Sequence, residues 1–126
     1  MRGRRQYLNF NPASSIITHM SRIFVQETLS KVGQKAEVAG WVAARRDMGK
    51  IIFIDLRDRT GLLQVVFLSK NKDLLRTAEE LRAEFVVKIS GEVKKRDAKT
   101  VNPKIETGSI ELLAETLEVL NPAKTP

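Results

Sequence analysis

Two runs of strict apolar alternation, joined by a short glycine-containing turn, constrain this chain more than any other feature. They lie in residues 40–67, GWVAARRDMGKIIFIDLRDRTGLLQVVF. Side chains alternate across a strand, so in residues 51–57 Ile52, Ile54 and Leu56 share one face, while Ile51, Phe53 and Asp55 share the other. In residues 62–68, Leu63, Val65 and Phe67 share one face, opposite Leu62, Gln64 and Val66. If the two purely apolar sets meet in one core, Phe53 and Gln64 point outward together on adjacent strands. An aromatic ring beside a carboxamide, flanked by Arg45 and Arg46, has the chemistry of a base-stacking platform with a phosphate clamp.

The surrounding segments predict a mainly β domain. Thr28 is expected to cap a short helical turn through Val32 that Gly33 stops. Residues 36–44 read as the first strand, with Gly40 a bulge or a point of close approach. Residues 45–50 form a charged turn, 51–57 the second strand, 58–61 a hairpin turn and 62–68 the third strand. The period then changes. Leu74, Leu75, Ala78, Leu81 and Arg82 follow helical spacing across residues 71–84, with Asn71 as N-cap. Residues 85–95 make the fourth strand, with Phe85, Val87, Ile89, Gly91 and Val93 on one face and Lys88, Ser90, Glu92 and Lys94 opposite. A long loop over 96–108, broken by Asn102-Pro103 and Gly108, precedes a fifth, bulged strand over 110–120. Three strands, one helix and two strands fit a five-stranded Greek-key OB-fold barrel, which binds oligonucleotides on the face of its second and third strands.

Composition narrows the partners. The 126 residues amount to one domain with a modest core. A formal net charge of +7 favours a polyanionic partner such as nucleic acid, an anionic membrane surface or an acidic protein. No apolar run is long enough for a membrane helix, so no spanning segment and no membrane role are expected. The absence of cysteine excludes disulfides, thiolate zinc sites and thiol catalysis, and is compatible with a reducing cytoplasm. His19 is the only histidine, which excludes a multi-histidine metal site and a Ser-His-Asp hydrolase.

Residues 1–20 differ in character from the remainder of the chain, carrying Arg2, Arg4 and Arg5 and no acidic residue. Three readings compete: a non-native or misassigned start with Met20 as the true one, which is preferred, a flexible basic arm, or a targeting presequence. The expected organisation is therefore an extension over 1–20, an OB-fold domain over 21–120, and over 121–126 the start of a hinge to an absent catalytic domain.

Residues 21–126 resemble the N-terminal anticodon-binding domain of bacterial-type aspartyl-tRNA synthetases, a class II family. The resemblance rests on VGQKAEVAGWV, RRDMGKIIFIDLRDRTGLLQVVF, AEELRAEFVVKISGEVKKR and VNPKIETGSIELLAETLEVLN. It implies that Phe53 stacks on the central uracil of the aspartate anticodon and that Gln64 hydrogen-bonds an edge of that base. It implies that Arg46 contacts anticodon bases or backbone and that Glu111 reads an outer base. A carboxylate suits that last task because it accepts from cytosine amino or guanine N–H groups. It also implies tRNA(Asp) as partner, a homodimeric parent and a catalytic domain that uses ATP and Mg2+. No glycine-rich nucleotide-binding stretch occurs here, so no cofactor and no aminoacylation are expected of this chain alone. Two departures from the family touch anticodon discrimination: Ala44 replaces the first of a usual arginine triplet, and Thr100 stands where asparagine is common.

Each residue also has a plainer reading. Phe53 is buried instead if the strand register slips by one. Arg45 and Arg46 can be a solvated turn, yet beside the platform one of them is expected to contact a base or phosphate. Gln64, without the resemblance, is a surface glutamine. Lys94, Lys95, Arg96, Lys99 and Lys104 form a basic stretch flanking the platform. Trp41 is expected to pack against strand-end loops, and Asp55 and Asp58 to pair locally with Arg57 and Arg59 rather than hold a metal. The main expectation is a tRNA-binding module. The alternatives are a free-standing OB-fold protein that binds single strands with little sequence preference, and a domain that mainly dimerises.

Overall fold

A computed structural model describes residues 22–122. The extension over 1–20 and residues 123–126 of the expected hinge lie outside the described residues. In chain order the elements are β1 (Arg22–Ile23), a 3-10 turn (Val25–Ser30), β2 (Lys35–Asp47), β3 (Ile51–Asp58), β4 (Gly61–Leu68), α1 (Lys72–Glu79), β5 (Val86–Lys95), a second 3-10 turn (Ala98–Thr100) and β6 (Ile110–Asn121).

The five expected strands are β2 to β6. They pair in the order β2-β3-β4-β6-β5, and β2 pairs again with β5, which closes the barrel. Closure requires β2 to serve two neighbours. Lys35 to Trp41 pair with β5, and Trp41 to Asp47 pair with β3. The hand-over requires close approach at Gly40, where a Cβ atom would lie 2.2 Å from the Arg57 carbonyl oxygen. β6 carries the expected bulges. Its pairing with β5 shifts register twice, passing over Glu115 and Leu120.

The core is the set that alternation selected. Ile52, Ile54, Leu56, Leu63, Val65 and Phe67 are fully buried, together with Val38, Val42, Val87, Ile89, Val93 and Leu112. Burial of each such side chain contributes about 1.5–3 kcal/mol. Leu74 and Ala78 of α1, with Leu81 just beyond it, join the same core. Asn71 caps α1 as expected, its Oδ1 accepting from the Leu74 N–H at 3.1 Å. The helix is shorter than its apolar spacing suggested. It ends at Glu79, because the chain must turn back into β5 through Glu84, whose φ is +75°.

The β1 end adds one strand that was not expected and corrects two expectations. A short parallel strand, β1, sits against Glu37 and Val38 of β2. Thr28 lies inside the first 3-10 turn rather than capping it, fully buried with its hydroxyl donating to the Val25 carbonyl at 2.6 Å. Asp58 is not part of a local ion pair. Its carboxylate accepts from the Val25 N–H at 2.8 Å, from the Thr60 N–H at 2.8 Å and from the Thr60 hydroxyl at 2.7 Å. One carboxylate thus orders the β3–β4 turn and fastens the N-terminal 3-10 turn onto it. Arg59 lies over the Phe24 ring instead, 4.5 Å from its centroid. Asp58→Ala removes all of these acceptors at once and should destabilise the domain by about 1–3 kcal/mol, measured by urea unfolding, whereas Arg57→Ala should change stability little.

Candidate nucleic-acid interface

The site begins with an extra residue in β2. Val42 pairs with Leu56 and Ala44 with Asp55, so Ala43 is left over as a bulge. Side chains of directly paired residues share a face. Before the bulge, Val42 and Leu56 face the core. After it, Arg45 pairs with Ile54 on the core side, and Arg46 pairs with Phe53 on the outside. Without the bulge the parity of Val42 would carry Arg46 inward.

Phe53 is half-buried on the outer face, its ring centroid 5.7 Å from the Arg46 Cζ. Gln64 lies on the neighbouring strand, directly opposite Asp55. It is not a surface glutamine: it is only 9% exposed. Its cover is polar. Arg46 Nη2 donates to Gln64 Oε1 at 3.0 Å, and Gln64 Nε2 donates to Glu111 Oε1 at 2.9 Å. Arg46 also makes a forked contact with Asp55, Nη1 to Oδ2 at 3.0 Å and Nη2 to Oδ1 at 3.4 Å. Asp55 therefore pairs with Arg46, not with Arg57 or Arg59 as expected. The chain Asp55–Arg46–Gln64–Glu111 runs across β3, β2, β4 and β6, so three strand pairings hold its geometry.

Arg96 extends this network. Its Nε donates to the Ile110 carbonyl at 2.8 Å and its Nη1 to the Thr100 carbonyl at 3.1 Å, tying the β5–β6 loop to the start of β6. Burial lowers its pKa from the usual arginine value, while the negative charges of Glu111 and Asp55 oppose that shift. Lys94 pairs across the ladder with Glu111, which places an exposed cation beside the platform. Lys95, Lys99 and Lys104 are exposed along the same strand end and loop.

Of the sequence-predicted residues, the structure brings together Arg46, Phe53, Gln64, Glu111, Lys94 and Arg96. Lys99 sits one turn away, beside Thr100. Arg45 turns elsewhere. Its Nη1 donates to the Glu79 carbonyl at 2.7 Å, at the C-terminus of α1, where a cation complements the helix dipole. Asp55 was missed as a member of the site. Its signal was its place on the Phe53 face, and a partner across the β2–β3 ladder was hidden by the bulge. Trp41 lies away from the platform and, with Phe24, Val86 and Leu120, lines an apolar groove of about 550 Å³ at the β1 end. Among the described residues no cluster of His, Cys, Asp or Glu could hold a metal ion, and no helix is long and apolar enough to cross a membrane.

A stacking ring, an amide held by one accepted and one donated hydrogen bond, a carboxylate and nearby exposed cations can stack a splayed base, read its edge and hold the adjoining phosphates. Residues 36–120 match the family described as OB-fold nucleic acid binding domain. The chain is 52% identical over 100 residues to an aspartate–tRNA ligase of Bacillus licheniformis, covering 79% of this chain and 17% of that protein. It is 52% identical over 89 residues to an aspartate–tRNA(Asp/Asn) ligase of Legionella pneumophila, covering 71% and 15%. The chain thus spans about one-sixth of the length of the curated relatives it matches. Among solved structures, asparaginyl-tRNA synthetase from Pyrococcus horikoshii superposes with a TM-score of 0.68 at 29% identity, over 82% of this chain and 23% of that one.

The two adjacent arginines make a separable pair. Arg45→Ala should lower stability by about 0.5–1.5 kcal/mol in urea unfolding, because it frees the end of α1. It should leave binding of single-stranded RNA close to wild type, while Arg46→Ala should weaken that binding.

Proposed function

This chain belongs to the OB-fold nucleic acid binding domain family, and we propose that it reads the anticodon of an aspartate tRNA as one domain of a longer aspartate–tRNA ligase. The observation that carries this reading is the Phe53–Gln64–Glu111 platform with Arg46 at its edge. Its support is the family match together with the ligase relatives at about half identity over this domain.

The mechanism is built from these parts. An anticodon loop presents unpaired bases that can be splayed out of their stack. Phe53 offers the ring face on which the central base stacks. Gln64 and Glu111 offer hydrogen-bonding groups at the edge of that ring, for the central and an outer base. Arg46 can serve base and phosphate together, since a guanidinium is a planar fork of donors. Lys94, Lys95 and Lys99 supply affinity through phosphates and carry no sequence information. Discrimination among outer bases at Glu111 acts without the usual first arginine, since Ala44 stands there. The activity of the whole protein is aspartate activation and transfer to tRNA, in the cytoplasm and as a homodimer. ATP and Mg2+ act there at a catalytic domain outside the residues described, and no step assigned to this domain runs through them.

Stacking and charge are separable by salt. An anticodon stem-loop of aspartate sequence should be titrated against wild type, Phe53→Ala and Lys95→Ala at several salt concentrations. Phe53→Ala should cost about 1–3 kcal/mol of binding at every salt concentration with the fold intact by circular dichroism. Lys95→Ala should flatten the plot of log K against log salt by about 0.7. If Phe53→Ala unfolds the domain or binds as wild type does, the platform is not where the base stacks. Equal binding to a loop of unrelated anticodon sequence would favour a single-strand binder without sequence preference.

A further inference from the structure

We propose that Asp55 is a positioning residue for base discrimination: by holding Arg46, it locks the Gln64 side-chain amide in the one orientation that separates uracil from cytosine. The proposal deepens the anticodon reading and rests on it.

The orientation of Gln64 is dictated by its neighbours' chemistry. A guanidinium can only donate and a carboxylate can only accept. Arg46 reaches Gln64 Oε1 at 3.0 Å and Glu111 accepts a hydrogen bond from Gln64 Nε2 at 2.9 Å. A half-turn of the amide would set N–H against N–H and oxygen against carboxylate. At 9% exposure, water cannot readily replace the partners lost. The carbonyl therefore lies on the Arg46 side and the NH2 on the Glu111 side.

An amide carries two N–H donors and two acceptor lone pairs. The two bonds above occupy one of each, which leaves one donor and one acceptor for a base. Uracil presents an acceptor, O4, next to a donor, N3–H. Cytosine presents the reverse, a donating amino group next to the acceptor N3. An amide free to turn over matches both patterns equally well. A locked amide matches one and sets two like groups face to face in the other. Specificity for the central base thus resides less in Gln64 than in whatever prevents its rotation.

Asp55 supplies half of that restraint. Arg46 is a long side chain at the edge of the barrel, and its forked contact to both Asp55 oxygens fixes the guanidinium plane. The residue directly across from Asp55 on β2 is Ala44, which brings no cation to compete for the carboxylate. Asp55 itself pairs directly with Gln64 across the β3–β4 ladder, so it lies beside the amide it restrains. Its role needs no contact with RNA.

The test compares wild type, Asp55→Asn and Asp55→Glu in binding to stem-loops that differ only in a central U or C. Alongside, the Gln64 side-chain NH2 resonances of each 15N-labelled free protein are recorded. Wild type should prefer the U loop. Asp55→Asn should lose at least about fivefold of that preference, chiefly by tighter relative binding of the C loop. Its Gln64 amide resonances should move toward those of a mobile side chain, and Asp55→Glu should restore both in part. A wild-type preference retained by Asp55→Asn, with the Gln64 resonances unmoved, overturns the proposal while leaving the anticodon reading in place. A wild type that binds both loops equally overturns the anticodon reading itself. In that case the free-protein spectra still report whether Asp55 restrains the amide. Should Asp55→Asn not fold, Asp55→Ser is measured in its place with the same outcomes.

Discussion

A single extra residue in one strand governs the chemistry of this surface. Alternation admits only one arrangement of β2 on each side of Ala43. Val42 must enter the core, and the bulge resets the phase so that Arg46 emerges beside Phe53. Arg45, its neighbour, is sent to the end of the helix, where it bonds the Glu79 carbonyl. Two chemically identical side chains thus acquire different tasks. Barrel closure imposes the setting for this, because β2 must leave β5 and join β3 within its own length. The close approach at Gly40 and the bulge at Ala43 are the two local adjustments that the change of partner requires.

Once Arg46 faces outward, the rest of the site is fixed by the need to satisfy buried polar groups. Gln64 is nearly buried within the platform, at a position where an unpartnered amide would be costly. Arg46 and Glu111 satisfy it from opposite sides, Asp55 balances the charge of Arg46, and Arg96 lies close enough for Glu111 to act on its protonation. The network alternates in charge, so it stiffens the edge of the platform without making it repel a phosphate backbone. Exposed Lys94 adjoins it across the β5–β6 ladder, and Lys95, Lys99 and Lys104 lie exposed along the same strand end and loop. A base stacked on Phe53, as we propose, would meet polar groups already in position, and little ordering would remain to be done on binding.

Most of the barrel was legible because its signals are local. The alternation in residues 51–68 selected the core set, and the Asn71 cap and the helical spacing of Leu74 and Ala78 placed α1. Phe53 and Gln64 were legible as residue types opposite the core set of their strands, whereas Glu111 was reached only through the resemblance to a known domain. What was not legible depends on distant pairings. No periodicity in Ala43-Ala44 marks a bulge, since alanine fits either face of a strand. Asp58 carried the look of an ion-pair partner because Arg57 and Arg59 flank it, but it accepts from Val25 and Thr60 instead. The partner of Asp55 is set by the same bulge, so it too was hidden. The end of α1 was overrun because Leu81 continues the apolar spacing while the backbone already turns toward β5.

Two faces of the barrel compete as an RNA-reading surface: the outer face of β3 and β4, which we propose, and the apolar groove around Trp41. The most direct measurement is a map of amide chemical-shift changes as an anticodon stem-loop of aspartate sequence is added to 15N-labelled protein. The largest changes should fall on Arg46, Phe53, Gln64 and Glu111, including the Gln64 side-chain NH2. Phe24, Trp41 and Leu120 should be unmoved. Changes centred on Trp41 and Phe24, or confined to the lysines of β5 and its loop with Phe53 and Gln64 silent, would contradict it.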